Sequence, residues 1–133
     1  MSEATVGSLS GKFLLRRGRG EDPFCFDSGD FAIPLEGVTA LFAPSGAGKT
    51  SFLRALAGLE ADIEGHLRCA DELWLDGSKQ VPAHQRRIGF VFQGGALFSQ
   101  RSVQGNLLYA AKRAPDPVRK TRAVLDSAVR TVA

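Results

Sequence analysis

Residues 43–50 of the 133-residue chain read Ala-Pro-Ser-Gly-Ala-Gly-Lys-Thr, and this glycine-rich segment is the strongest chemical signal in the sequence. The residues just before it, 38–42 (Val-Thr-Ala-Leu-Phe), are apolar without polar alternation, which predicts a strand covered on both faces as in a parallel sheet. The residues after it, 50–57, are good helix formers and are followed by Gly58, a suitable helix end. The order strand, glycine-rich loop, helix predicts an α/β protein built around a phosphate-binding loop.

This loop carries the residue types that phosphate binding requires. Glycines let several backbone N–H groups converge on an anion, and the following helix directs its unpaired N–H groups and the positive end of its dipole at the same point. Lys49 adds a mobile charge for the β- and γ-phosphates, and the Thr50 hydroxyl can ligate Mg²⁺. The predicted nucleotide-binding residues are Ser45, Gly46, Ala47, Gly48, Lys49, Thr50 and Ser51.

One position departs from the Walker A pattern Gly-x-x-x-x-Gly-Lys-Ser/Thr, because Ala43 stands at its first glycine. If that site needs a positive φ, alanine costs about 1–2 kcal/mol there. The alternative, a glycine-rich turn that binds nothing, is disfavoured by the strand before the loop and the helix after it.

Short apolar runs separated by turn residues predict the remaining elements. The predicted strands cover residues 13–15, 24–26, 31–33, 67–69, 72–75 and 87–92. The turn pair Asp76-Gly77 closes the strand at 72–75, and 87–92 is a second candidate for a buried strand. Ser102 is a candidate cap for a helix that reaches Lys112, and Asp116-Pro117 is a good opening for another helix.

Composition and charge exclude several classes of protein. No apolar run is long enough to cross a bilayer, and the N-terminus does not resemble a secretory signal. Cys25 and Cys69 have no metal-like spacing, which indicates ordinary reduced thiols of a cytoplasmic protein. The net charge of +3 arises in residues 101–133, which hold seven Lys/Arg and two Asp/Glu. Because no aromatic residue follows Tyr109, this basic segment lacks a stacking platform, and no nucleic-acid partner is expected.

Two motifs in order resemble the ATPases of ATP-binding cassette (ABC) transporters. Residues 45–59 resemble that family's phosphate loop and first helix, including the Ala-Gly-Leu ending, and residues 86–93 (Arg-Arg-Ile-Gly-Phe-Val-Phe-Gln) are similar to the strand that leads into its Q-loop. The resemblance implies a P-loop NTPase core with an antiparallel β subdomain and the start of a helical subdomain. It also implies that ATP and Mg²⁺ are bound, and that the family's activity is ATP hydrolysis coupled to transport.

Gln93 is the residue that the Q-loop resemblance identifies as catalytic and as a second Mg²⁺ ligand, since its carbonyl can reach Mg²⁺ or water near the γ-phosphate. The family's Q-loop borders the groove where a transmembrane permease subunit docks, and its ATPase subunits form dimers. We therefore expect a permease partner, a second ATPase subunit and a cytoplasmic location at the inner face of the membrane. Residues 102–109 and 38–42 most resemble the importers of molybdate, although related anion importers share much of this pattern.

Other parts of the family pattern are missing. Nothing resembles the Leu-Ser-Gly-Gly-Gln motif, the Walker B strand with its catalytic glutamate or the switch histidine, and residues 73–76 predict a hairpin instead of Walker B. The adenine-stacking aromatic has only three candidates, Phe13, Phe24 and Phe26. We therefore expect a truncated chain, with residues 1–98 forming part of the nucleotide-binding core and 99–133 the beginning of the helical subdomain.

Two alternatives remain beside an importer ATPase. One is a truncated nucleotide-binding module without turnover. The other is a different P-loop class such as a small kinase, in which Gln93 would have no special role.

Overall fold

A computed structural model of the chain describes residues 7–18 and 23–113. The strands of this part are β1 (Ser8–Arg17), β2 (Phe24–Asp27), β3 (Phe31–Pro34), β4 (Ile63–Cys69), β5 (Glu72–Gly77) and β6 (Lys79–Gln80). The helices are α1 (Lys49–Leu56), α2 (Val103–Arg113) and a single 3-10 turn (Ala83–Gln85). The chain divides into two compact units, Met1–Phe90 and Val91–Ala133.

The first unit is built on one antiparallel sheet. Its strand order is β2-β1-β4-β5-β6, and β3 also pairs with β1. The N-terminal half of the ten-residue strand β1 pairs with β3 and its C-terminal half pairs with β2, while β4 pairs with β1 along most of its length. Every other residue of β1 is buried over Gly11, Phe13 and Leu15, because successive side chains of a strand point to opposite faces. Strand β1 therefore organises the sheet and supplies the centre of its core.

Helix α1 covers the buried face of this sheet. Its buried residues Phe52, Ala55 and Leu56 join a hydrophobic cluster supplied by the strands. The strand members of that cluster are Phe13, Ile63, Leu67, Trp74 and Leu75. The rings of Phe13 and Phe52 stack with centroids 5.6 Å apart. The sheet thus fixes the helix that follows the phosphate loop.

Most of the predicted elements in this unit are confirmed. The runs at 13–15, 24–26 and 31–33 lie in β1, β2 and β3, and those at 67–69 and 72–75 lie in β4 and β5. The predicted helix is α1, and Gly58 follows its end with a left-handed φ of 72°. Residues 73–76 form a hairpin strand paired with β4 and β6, as predicted.

Two predicted strands, 38–42 and 87–92, are wrong, since neither segment has regular secondary structure. Val38, Phe42 and Val91 are 99%, 97% and 96% exposed. An apolar, β-branched run becomes a strand only when a neighbouring strand satisfies its backbone N–H and C=O groups. Within residues 7–18 and 23–113 no strand pairs with either segment, so the ladder that their sequence favours does not form.

The second unit contains α2, whose predicted cap is confirmed. The Gly105 amide donates to the Ser102 hydroxyl at 3.1 Å, and the helix runs one residue past the predicted end at Lys112. The Asn106 side chain accepts from the Phe98 amide at 2.8 Å and donates to the Phe98 and Ser102 carbonyls, so it fastens the preceding loop to the helix. The helix predicted from Asp116-Pro117 lies outside the described residues. The predicted boundary at residue 98 stays a prediction.

A buried arginine ties the end of α1 to the strands. Arg86 is 4% exposed, and its Nη1 donates to the carbonyls of Ala55 at 3.0 Å and Leu56 at 2.6 Å. Its Nε donates to the Val81 carbonyl at 2.9 Å, and its guanidinium lies 5.3 Å from the centroid of the Trp74 ring. Burial lowers the pKa of Arg86. Carbonyls in the last turn of a helix have no partner within the helix. Arg86 supplies a donor to the Leu56 carbonyl and a second donor to the Ala55 carbonyl, which also accepts from the Gly58 amide at 3.0 Å.

A second polar junction holds the stretch between α1 and β4. The Glu60 carboxylate is 8% exposed and accepts from Arg17 Nη2 and Arg54 Nε, both at 2.6 Å. Burial raises the pKa of Glu60, but the hydrogen bonds and charges of the two arginines outweigh it and leave the pKa below its ordinary value. Glu60 thus joins β1 to α1 through two salt bridges.

Cys25 and Cys69 are free thiols, as predicted. Among the described helices, none is both long and apolar enough to cross a membrane.

Replacing Arg86 by methionine should lower the free energy of unfolding by about 2–4 kcal/mol, because buried carbonyls lose their donors. Urea denaturation of the 133-residue chain measures this change. Arg87→Met is the matched control, since Arg87 is exposed, and it should change the free energy of unfolding by less than about 0.5 kcal/mol. Equal effects of the two variants would contradict the role given to Arg86.

Glu60→Gln should destabilise the chain by about 1 kcal/mol at pH 7, a modest figure because both arginines are partly exposed. A carboxylate whose pKa is depressed by folding stabilises the native state above its unfolded pKa of about 4.3, and this contribution is lost as the pH falls through the folded pKa. The difference between wild type and Glu60→Gln should therefore shrink below about pH 4.3 in urea titrations. Glu64→Gln, at an exposed position of β4, should show no such convergence.

Candidate functional site: the phosphate loop

The phosphate loop, residues 43–48, leads directly into α1. Gly46 and Gly48 have φ values of 81° and 90°, which L-residues with a Cβ rarely adopt. Gly48 is the N-cap of α1, and the helix has no side-chain cap and no acidic residue in its first turn. The Phe52 amide is bonded to the Gly48 carbonyl at 2.8 Å, whereas the N–H groups of Lys49, Thr50 and Ser51 precede the first complete turn. This arrangement leaves N–H donors and the positive helix end available to an anion.

Lys49 folds back onto the opening of the loop. Its Nζ donates to the Ala43 carbonyl at 2.7 Å and to the Pro44 carbonyl at 2.8 Å. Within the described part of the chain no carboxylate forms an ion pair with it. An ammonium group has three donors, so one remains for a ligand. Within residues 7–18 and 23–113, the loop thus holds a cation whose charge no carboxylate neutralises.

Ala43 does not carry the strain that its place in the Walker A pattern suggests. Among the described residues, the non-glycine residue with a positive φ is Ala70, at 50°, and not Ala43. The left-handed positions of the loop fall on Gly46 and Gly48 instead. The cost of about 1–2 kcal/mol for alanine at a positive φ therefore does not apply to Ala43.

The hydroxyl and amide groups proposed for Mg²⁺ lie on different units. Thr50 is exposed in the first turn of α1, next to Lys49, in the first unit. Gln93 is exposed in a turn of the second unit. No group of three or more His, Cys, Asp or Glu residues that could hold a metal occurs in residues 7–18 and 23–113. A single exposed hydroxyl such as that of Thr50 fits Mg²⁺, which keeps most of its waters and takes few protein ligands.

Burial and packing separate the three aromatic candidates for adenine stacking. Phe13 is 1% exposed inside the core, so it cannot stack on a nucleotide. Phe26 is partly buried, and its ring lies against Gly48 of the phosphate loop. Phe24 is 42% exposed, with the Arg17 guanidinium 6.0 Å from its ring centroid. Of the three, Phe24 is the accessible ring.

A profile of the ABC transporter family matches residues 26–132. The chain belongs to the ABC transporter family. This membership confirms the predicted fold class, a P-loop NTPase core with an antiparallel β subdomain. It also accounts for the order of the two motifs, with the phosphate loop before α1 and Gln93 after residues 86–92.

Curated relatives of the chain in this family carry the description molybdenum import ATP-binding protein ModC. The chain is 49% identical to that of Thiobacillus denitrificans over 100 residues, which are 75% of the chain and 27% of the relative. It is 48% identical to that of Pseudomonas syringae over 95 residues, 70% of the chain and 26% of the relative. It is 42% identical to that of Aromatoleum aromaticum over 128 residues, 93% and 33%. The chain thus spans about a quarter to a third of these relatives. The comparison with solved structures found no match.

Sequence reasoning identified the loop but missed the groups that support it. In the sequence, Arg86 is distinguished only as part of the segment that leads to Gln93, and no pattern distinguishes Glu60. The contact between Phe26 and Gly48 was also missed, because it depends on where β2 lies in the sheet. The one sequence signal for the role of Arg86 is the Arg-Arg pair before an apolar run. If one of the two arginines is buried there, it needs a partner, because buried arginines are rare unless they are paired.

Gly48→Ala should destabilise the chain more than Gly46→Ala. Both positions have a positive φ, which costs alanine about 1–2 kcal/mol. A Cβ at Gly48 would also lie 2.5 Å from Cδ2 of Phe26, whereas a Cβ at Gly46 meets nothing within 4 Å. Thermal unfolding of both variants checks this order, and a lower melting temperature for Gly46→Ala than for Gly48→Ala would contradict it.

Proposed function

We propose that the chain binds ATP with Mg²⁺ through the phosphate loop, as part of an ABC importer ATPase. The observation that carries this proposal is Lys49, an ammonium held at the loop opening beside the N-terminus of α1, with no ion-pair partner among the described residues. A triphosphate brings the negative charge and the acceptor oxygens that these donors lack. Membership of the ABC transporter family supports ATP as the source of that triphosphate.

Each loop residue has a defined part in this proposal. Backbone N–H groups between Ser45 and Ser51 hold the phosphate oxygens, and the Lys49 ammonium neutralises charge on the β- and γ-phosphates. The Thr50 hydroxyl would be a ligand of Mg²⁺, which would supply positive charge for the phosphates. Gln93 would offer its carbonyl oxygen to Mg²⁺ or to the attacking water.

The descriptions of the relatives support a proposal for the transported substrate and the partners. Several relatives at 42–49% identity are described as molybdenum import proteins, which supports molybdate or a related anion as the transported species. The proposed partners are a transmembrane permease subunit, docking near Gln93, and a second ATPase subunit. With these partners, the proposed location is the cytoplasmic face of the membrane. Because the phosphate loop alone gives no selectivity for the anion, selectivity belongs to the permease and binding-protein components.

We further propose that the 133-residue chain alone binds nucleotide without turning it over. Its sequence contains no glutamate after Glu72 and no Leu-Ser-Gly-Gly-Gln segment. Positioned general bases accelerate reactions by about 10²–10⁴-fold. Phosphate release by the purified chain at rates near the Lys49→Ala background supports this proposal, and clear turnover above that background contradicts it.

Lys49→Ala should weaken Mg-ATP binding at least about tenfold, which corresponds to about 1.4 kcal/mol, because the loop loses its cation. Gln93→Ala should weaken binding much less, since its proposed part concerns hydrolysis and coupling. Calorimetric titration of the 133-residue chain measures all three affinities.

Lys79→Ala is the control, since Lys79 is an exposed lysine on β6. It should bind Mg-ATP like the wild type. Equal losses in Lys49→Ala and Gln93→Ala would refute the division of roles, and an unchanged affinity in Lys49→Ala would refute the site itself.

A further inference from the structure

The ring of Phe26 lies directly against the last residue of the phosphate loop. A Cβ built on Gly48 would lie 2.5 Å from Cδ2 and 2.7 Å from Cε2 of that ring. These distances are shorter than any real carbon contact, so the ring reaches the Gly48 backbone itself. Gly48 is also the N-cap of α1 and immediately precedes Lys49.

The sheet and an aromatic cluster hold this ring in place. Phe26 belongs to β2 and is paired with Leu15 of β1. Its ring centroid lies 6.2 Å from that of Phe13 and 6.3 Å from that of Phe52. Phe13 is in the buried centre of the sheet, and Phe52 is on α1. The ring is therefore held in place by its contacts with β1 and α1.

Packing replaces the polar cap that most helices have at this point. Ser, Thr, Asp or Asn at the N-cap usually bonds an amide of the first turn and so fixes the entry of the chain into the helix. At Gly48 no side chain provides this bond, and the backbone has a φ of 90°. A glycine in that conformation has wide conformational freedom unless something limits it. The Phe26 ring is the side chain that occupies the space beneath it.

We propose that Phe26 is a positioning residue of the phosphate loop. Contact with its ring fixes the position of the Gly48 backbone, and this position sets the direction of the adjoining N–H donors. This inference rests on the proposed function, since it concerns the binding of the same phosphate chain. A binding site needs its donors held within about 0.5 Å by packed neighbours, and a smaller side chain at 26 leaves space into which Gly48 can move. The effect therefore concerns the phosphates and not the base.

The alternative for Phe26 is stacking on adenine, for which the sequence made it a candidate. The two roles differ in the ligand that they affect. Loss of phosphate positioning lowers the binding affinities for inorganic tripolyphosphate and for ATP by the same factor, because both ligands depend on the loop. Loss of stacking lowers the binding affinity for ATP alone, because tripolyphosphate has no base.

The experiment compares Phe26→Leu with Phe31→Leu in the 133-residue chain. Phe31 belongs to the same cluster, with its ring 5.0 Å from Phe52 and 6.0 Å from Phe13, but it is not among the atoms nearest to Gly48. Thermal unfolding reports the loss of packing in each variant, and calorimetry reports affinity for Mg-ATP and for Mg-tripolyphosphate. Both variants should lose similar stability. Phe26→Leu should weaken both ligands about tenfold, while Phe31→Leu binds like the wild type.

Every other outcome overturns the inference. A loss confined to ATP assigns Phe26 to adenine stacking, and equal losses in the two variants reduce it to general support of the core. Unchanged binding in Phe26→Leu shows that the ring does not position the loop. If Phe26→Leu does not fold, Phe26→Met keeps a similar volume on a flexible side chain and should weaken both ligands equally, though less.

The proposed function has its own readout in the same titrations. If wild type and Lys49→Ala bind tripolyphosphate equally, or neither binds it, the loop is not a phosphate site and both ideas fall together. If Lys49→Ala loses binding while Phe26→Leu retains it, only the inference about Phe26 fails.

Discussion

The stacking of Phe52 on Phe13, with ring centroids 5.6 Å apart, is the contact on which the candidate site depends. It joins α1 to the longest strand of the antiparallel sheet, so the helix that orients the phosphate loop is seated on a buried surface. Arg86 holds the C-terminal carbonyls of the same helix, and the Phe26 ring lies under its N-cap. An eight-residue helix is marginal in isolation, and these tertiary contacts stabilise it.

The apolar segments 38–42 and 87–92 show how strand formation depends on neighbours. Both have the composition of central strands, yet Val38 and Val91 are almost wholly exposed. The antiparallel strands form because β1 offers partners on both edges within the described residues. Residues 38–42 nevertheless lead into the phosphate loop, because α1 is supported by its contacts with the antiparallel sheet. The conformation of the loop thus does not require residues 38–42 to form a strand.

Much of the antiparallel sheet, α1 and the phosphate loop could be predicted from the sequence, because local signals determine them. Alternation in β1, helix formers after Lys49 and glycines at positive φ act over a few residues. The supporting contacts could not be predicted in this way. Arg86 reaches a carbonyl 31 residues earlier, and Phe26 reaches Gly48 only because β2 pairs with the end of β1. Such contacts follow from how segments distant in the sequence pack together, which no local pattern encodes.

Residues 43–51 form, in our proposal, a phosphate site that α1 and the sheet already support. An amide NMR titration of the 133-residue chain with Mg-ATP is the decisive test. We expect saturable shifts at the amides of residues 45–51, with the remaining amides of α1 and those of β1 and β4 nearly unchanged. Absence of shifts at Lys49 and its neighbours, or changes spread over the whole sheet, would contradict it.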